Sequence, residues 1–286
     1  MANVEDEIAL IVRQHSNGRV ALQRRAMTAL SKLRFDWESL AESDALWAIL
    51  TDYTKAGGKW DVAEFMATGD AEIATVIDYL IQIDCVPRFE GSALDFGCGV
   101  GRLTQPLARN FASCVGVDIS HQMIQRADTL NRYAHCRYVT SSETRLPFVD
   151  ASFAFIYSNI VLQHMPRRLS EEYLREFVRV LAPGGVLVFG VQDSFAIRTV
   201  SSLLLRLRQH LRIRSRIKRL LGVGPADMQM HCMSESAVRR ALGALKVVDI
   251  QITNTAAKDF NGRLRYLRDA PTSGYMGKQY CAAKVP

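Results

Sequence analysis

The densest chemistry in the sequence lies at Leu94-Asp95-Phe96-Gly97-Cys98-Gly99-Val100-Gly101, where glycines alternate directly after a short apolar run. Glycine turns the chain tightly and brings backbone N–H groups against a ligand with no Cβ in the way. A G-x-G turn between a strand and a helix is a nucleotide-holding device, and on its own it does not say which nucleotide. Asp118 closes the next apolar run, Cys114-Val115-Gly116-Val117. A carboxylate there accepts hydrogen bonds from both ribose hydroxyls of a bound nucleoside.

Two residues discriminate among nucleosides. A dinucleotide loop needs a small third residue beside the pyrophosphate, and Arg102 stands at that position. Asp95, two residues before the first glycine, suits a cationic amino group and is ill-placed beside a pyrophosphate. Both features favour S-adenosylmethionine over NAD. Two imidazoles are positioned as bases for a hydroxyl nucleophile. His164 lies in Leu162-Gln163-His164-Met165-Pro166, where it serves either as a base or as a cap for the following helix. His231 ends Met228-Gln229-Met230-His231. Trp60 follows Gly57-Gly58 and precedes a helical pattern. It either folds over the cofactor, its π-face suited to a sulfonium, or anchors the N-terminal segment.

Asp95 to Gly101, Gly116-Val117-Asp118-Ile119-Ser120, Leu146-Pro147-Phe148 and Leu181-Ala182-Pro183-Gly184-Gly185 together resemble the successive motifs of class I S-adenosylmethionine-dependent methyltransferases. The resemblance is to the small-molecule branch that includes quinone-biosynthesis enzymes. It covers about residues 90–191 well and 230–285 loosely. It implies a Rossmann-like, mostly parallel seven-stranded sheet with one antiparallel strand, and cofactor across the strand ends. Asp95, Gly97 and Gly99 would hold the methionine part, within a loop that also includes Phe96 and Arg102. Asp118 would take the ribose, Ile119 and Met123 would flank the adenine, and Ser142 or Glu143 would face its amino group. Asn159 would lie near the transferred methyl. Nucleic acid is disfavoured as acceptor. Asn159 is followed by Ile160 and Val161 rather than by the Pro-Pro-aromatic of amino-directed base methyltransferases, and the chain has no Pro-Cys dipeptide.

The elements that must position these residues read as α/β. Short apolar runs at 93–96, 114–117, 136–139, 153–157 and 186–191 alternate with helices at about 101–111, 120–132 and 170–182, the pattern of a parallel sheet covered on both faces. A helix at about 234–244, a strand at 247–252 and a strand at 275–283 complete the expected sheet. Residues 1–85 read as a helical extension or cap. Ile8, Ile11 and Val12, then Leu46, Ile49 and Leu50, then Ile73, Val76, Ile77 and Leu80 are spaced for helix faces, with breaks at Asn17-Gly18 and Gly57-Gly58. Residues 86–286 read as the methyltransferase domain, with a basic helical insertion at about 195–225. There, Arg206, Arg208, Arg212, Arg214, Arg216, Lys218 and Arg219 overlie a leucine stripe. The insertion fits a lid with arginines facing an anionic acceptor. It also fits a surface resting through 203–221 on an anionic membrane to admit a lipid-linked acceptor, or a solvated helix or subunit contact.

With 36 basic and 29 acidic residues, the net charge of +7 is modest and does not by itself mark nucleic-acid binding. The six cysteines form no C-x-x-C pair, no secretory leader opens the chain, and no apolar run approaches a membrane span. A cytoplasmic protein with reduced thiols is expected. After the fourth strand, Ser158-Asn159-Ile160 holds no acid, and Asp193 alone is too little for a catechol-type metal site, so no metal is expected. The expected activity is methyl transfer to a small-molecule acceptor at oxygen, such as a sugar, a glycolipid part or another metabolite. The rivals are N-methylation, an NAD-dependent oxidoreductase, and a cofactor-binding protein without turnover.

Overall fold

The computed structural model describes residues 29–196, 228, 230–257, 260–272 and 274–285. The early helical pattern at Ile8, Ile11 and Val12 and the basic segment 203–221, with its lid and membrane readings, lie outside the described residues.

Eight strands form one sheet in the order β3-β2-β1-β4-β5-β8-β6-β7. They are β1 (Ser92–Phe96), β2 (Ser113–Asp118), β3 (Cys136–Thr140), β4 (Phe153–Ser158), β5 (Leu181–Ala196), β6 (Lys246–Thr253), β7 (Tyr266–Leu267) and β8 (Gly274–Ala283). The first five run parallel, and β8 is antiparallel between β5 and β6. Every residue of β4 is buried, because helices cover both faces of a parallel sheet, and its sequence is accordingly a continuous apolar run. The eighth strand departs from the seven expected. β7 is a two-residue edge pairing on β6, too short to leave an alternating pattern.

Among the described residues there are six α-helices: α1 (29–49), α2 (Val62–Gln82), α3 (Thr104–Ala108), α4 (His121–Leu130), α5 (Arg167–Val180) and α6 (Glu235–Leu242). α3 is shorter than the expected 101–111, because Gly101, at φ 84°, keeps the chain in a turn until Leu103. β5 is longer than expected, since it continues along β8 as far as Ala196 through a register shift between Gln192 and Ser194. One face of the sheet packs on α5 and α6 through Tyr173, Phe177, Val238 and Leu242. The other packs on α2 and α3 through Ile73, Val76, Leu80 and Leu107.

The N-terminal helices are built into the site end of this sheet. α2 starts at Asp61, whose side chain accepts from the Glu64 amide, a regular N-cap. It crosses the glycine loop at backbone contact: a Cβ on Gly69 would lie 2.0 Å from the Arg102 carbonyl oxygen. Between α1 and α2, Gly57 and Gly58 take φ of 79° and 73°, and both amides donate to Asp44 Oδ2.

Candidate active site

A cleft of about 890 Å³ opens where β1, β2 and β4 end, roofed by α1. Its floor is the glycine loop. The amides of Gly97 and Cys98 both donate to the Val117 carbonyl, folding the loop back onto β2. Gly97 and Gly99 have φ of 77° and 53°. A Cβ at Gly97 would come within 2.3 Å of Val161, and one at Gly99 within 2.5 Å of Ile49, so close approach as well as conformation requires glycine.

Asp118 is the loop's second tether. Its Oδ2 accepts from the Gly99 amide at 2.9 Å and its Oδ1 from the Ser120 amide at 2.8 Å. Burial pushes its carboxyl up, opposed by these backbone N–H groups. Each oxygen keeps acceptor capacity for a further donor. Ile119, Met123 and Ser141 line this side of the cleft. Ser142 and Glu143 do not: both are exposed, one and two positions past Ser141. The Ser141 amide donates to the Asp118 carbonyl and is the last position tied to the sheet edge before the chain turns outward.

Across β1, the cleft is walled by Asn159, Ile160 and Val161. Ile160 has φ 61°, a costly conformation for a β-branched residue and one that concentrates at functional sites. Phe96 and Arg102 also line the cleft. The Arg102 guanidinium donates through Nη2 to Glu72 at 2.9 Å. Among the described residues its buried Nε has no hydrogen-bond partner.

Two residues expected at the cofactor, Asp95 and Trp60, lie outside the cleft lining. Asp95 is 1% exposed and lies beneath the loop rather than in the cleft wall, its Oδ2 accepting from Thr104 Oγ1 at 2.6 Å. It therefore buttresses the start of α3. Burial pushes its carboxyl up to about 7, against the pull of the Thr104 hydroxyl and Arg102. Trp60 packs into a core of its own with Leu50 and Phe65, its Nε1 donating to the Leu50 carbonyl, and does not line the cleft. It anchors the N-terminal helices, the second of its two readings. The tryptophan in the cleft wall is Trp37 of α1.

His164 lies in the cleft wall, its ring 5.6 Å from that of Trp37 and nearly perpendicular to it. It is shared with a second cavity of about 520 Å³, otherwise bounded by Ala29, Leu33, Leu40, Pro166 and His231 among others. His231 lines that second cavity and not the cleft, its amide donating to the Gln163 carbonyl at 2.7 Å. The structure thus brings both histidines to one chamber, whose lining also holds Lys32 and Asp36, and of the two only His164 shares the boundary, with Leu33 and Trp37.

Glu72, Glu38 and Trp37 carry site geometry that the motifs did not disclose. Glu72 left a trace: with Phe65, Gly69 and Val76 it falls on the buried stripe of α2, where a carboxylate needs a partner. Glu38 of α1 accepts from Ser120 Oγ and the His121 amide, both at 2.8 Å, and from the Gln122 amide. Burial pushes its carboxyl up, but these bonds and Arg34 outweigh it, so it lies below the ordinary glutamate range.

Residues 94–189, about a third of the chain, match a family model described as a methyltransferase domain. Among curated relatives, 24-methylenesterol C-methyltransferase 2 of Oryza sativa subsp. japonica is 40% identical over 100 residues, 33% of this chain and 27% of that protein. The chloroplastic tocopherol O-methyltransferase of Arabidopsis thaliana is 33% identical over 100 residues, covering 33% and 28%. The match thus spans under a third of the length of these relatives. Among solved structures, magnesium protoporphyrin IX methyltransferase from Synechocystis PCC 6803 with bound SAH has the same fold, with a TM-score of 0.53 at 17% identity over 90% of this chain and 99% of that one. With its glycine turn after β1, the carboxylate closing β2 and an antiparallel β8, the chain carries over residues 94–189 a methyltransferase domain of the class I, S-adenosylmethionine-dependent type.

Proposed function

We propose that this protein transfers the methyl group of S-adenosylmethionine to a hydroxyl oxygen of a small-molecule acceptor. The observation that carries the reading is the sharing of His164 between the nucleoside cleft and the second cavity. The residues fit the cofactor. Gly97 and Gly99 bring bare backbone to the cleft lining, Asp118 keeps acceptor capacity there, and among the described residues the buried Arg102 Nε has no hydrogen-bond partner. When bound, S-adenosylmethionine supplies an electrophilic methyl carbon on a sulfonium.

The chain's own residues do the rest. Asp118 accepts from the ribose hydroxyls, and Ile119, Met123 and Ser141 hold the adenine side. Phe96, Gly97, Gly99, Arg102 and Asn159 hold the amino-acid side. The apolar walls of α1 exclude water, and in-line alignment of the acceptor lowers the barrier. His164 takes the hydroxyl proton at a ring nitrogen. Ala29, Leu33, Leu40 and Met228 make most of the second cavity's wall apolar, with the paired Lys32 and Asp36 as its charged part, which favours an acceptor with an apolar body over a free sugar.

Calorimetric titration with S-adenosylhomocysteine tests the cofactor, and Asp118→Ala is expected to abolish binding while leaving the circular dichroism spectrum unchanged. Release of S-adenosylhomocysteine across a panel of apolar phenols, prenylated alcohols, amines and free sugars tests the acceptor. Turnover on the amines alone would overturn oxygen as the target.

A further inference from the structure

We propose that Glu72 is the positioning residue for the amino-acid half of the bound cofactor, acting through Arg102 and Asn159; this rests on the methyl-transfer reading above. Glu72 belongs to α2, outside the matched segment 94–189, and is 0% exposed. Its two oxygens serve different loops. Oε2 accepts from Arg102 Nη2 at 2.9 Å, and Oε1 accepts from Asn159 Nδ2 at 2.7 Å and Tyr157 Oη at 2.9 Å. Arg102 follows the glycine loop and Asn159 follows β4, and both line the cleft. One carboxylate therefore sets two cleft residues from separate chain segments.

The bonding decides what those residues have left to offer. Asn159 commits its amide N–H to Glu72, which orients the side chain and leaves its carbonyl oxygen as the acceptor. Gly190 provides the room, since a Cβ there would fall 2.6 Å from Asn159 Oδ1. An amide oxygen so fixed suits an ammonium group. Arg102 donates through Nη2 to Glu72 Oε2 and through Nη1 to Thr68 Oγ1 at 3.3 Å, while its buried Nε has no acceptor among the described residues. A buried donor without an acceptor is costly, and a carboxylate satisfies it with a charge-assisted bond. An ammonium and a carboxylate on one carbon are what the amino-acid half of S-adenosylmethionine carries. The nucleoside half falls to Asp118, Ile119, Met123 and Ser141 across β1, whereas the hydrogen bonds of Glu72 go to Arg102, Asn159 and Tyr157.

The test compares two probes that share the nucleoside thioether. S-adenosylhomocysteine has the amino-acid chain and 5′-methylthioadenosine lacks it. Both are titrated calorimetrically into wild type, Glu72→Gln and Glu72→Asp. Asp keeps the charge but draws it back by one methylene, so it carries the comparison should Gln fail to fold. Loss of one charge-assisted contact predicts S-adenosylhomocysteine affinity down roughly 10- to 100-fold, with 5′-methylthioadenosine changed by less than about threefold. Parallel loss of both probes would show a merely structural Glu72 and overturn the proposal, as would unchanged S-adenosylhomocysteine affinity. Wild type that bound neither probe would instead overturn the cofactor reading and the proposal with it.

Discussion

Two N-terminal helices are each tied through a glutamate to elements that line the cleft, and the two contacts are of opposite kinds. Glu38 of α1 meets backbone amides at the start of α4 and is half-buried. It behaves as an anion at a helix N-terminus, where dipole and unpaired amides favour it and water competes. Glu72 of α2 is fully buried against a guanidinium, an amide and a phenol. Breaking such a pair strands a charge away from water. The first contact is a tether that opens at modest cost, and the second is part of the frame. The roof of the cleft, made of Leu33, Trp37 and Ile49, hangs on the tether, whereas the floor rests on the frame.

The largest expected effect is on the frame. Glu72→Ala leaves Arg102 buried without its counter-ion and should cost about 3–5 kcal/mol in urea unfolding. A loss under about 1 kcal/mol would erase the distinction between frame and tether. Asp95 asks whether burial or pairing makes the difference, because it is as buried as Glu72 but has a hydroxyl in place of a cation. Its folded value of about 7 lies above the unfolded 3.8, so the folded state keeps a proton that the unfolded state releases. Its contribution is therefore whole below about pH 4, falls as pH rises to about 7, and is flat beyond. The fall is bounded at about 4 kcal/mol, and Asp95→Asn should remove it from the pH profile of unfolding free energy.

Gly69→Ala probes the closest approach of α2. With a methyl forced to 2.0 Å from the Arg102 carbonyl, it should cost about 1–3 kcal/mol and lower the melting temperature. Stabilisation through better helix propensity would show that the helix is free to shift. The smallest effect belongs to the tether. Glu38→Ala should cost about 1 kcal/mol, shrinking as salt is added, and should weaken S-adenosylhomocysteine less than any change at Glu72. A loss as large as that of Glu72→Ala would mean that roof and floor unfold together.

The strand-helix alternation was legible because each buried parallel strand leaves an apolar run, and the cofactor cradle was legible because glycine and Asp118 are demanded by local geometry within one βαβ unit. Contacts between remote segments were not. Asp95 read as a cleft residue because it flanks the loop, yet a β1 side chain that points under the turn meets Thr104 instead. Ser142 and Glu143 lie outside the cleft lining, which ends at Ser141, since strand ends depend on the last ladder bond, here from Ser141.

By itself the sequence determined the fold class, the place of the nucleoside turn and the chemistry that turn favours, since all three follow from neighbours in the chain. Tertiary structure alone decided that Trp37 and not Trp60 walls the cleft, that His164 and not His231 stands at its boundary, and that Glu72 joins two loops. The reason is physical: which face of a helix meets a site is set by how the helix docks. On α1 and α2 that docking rests on Glu38 and on the bare backbone of Gly69, whose partners lie tens of residues away.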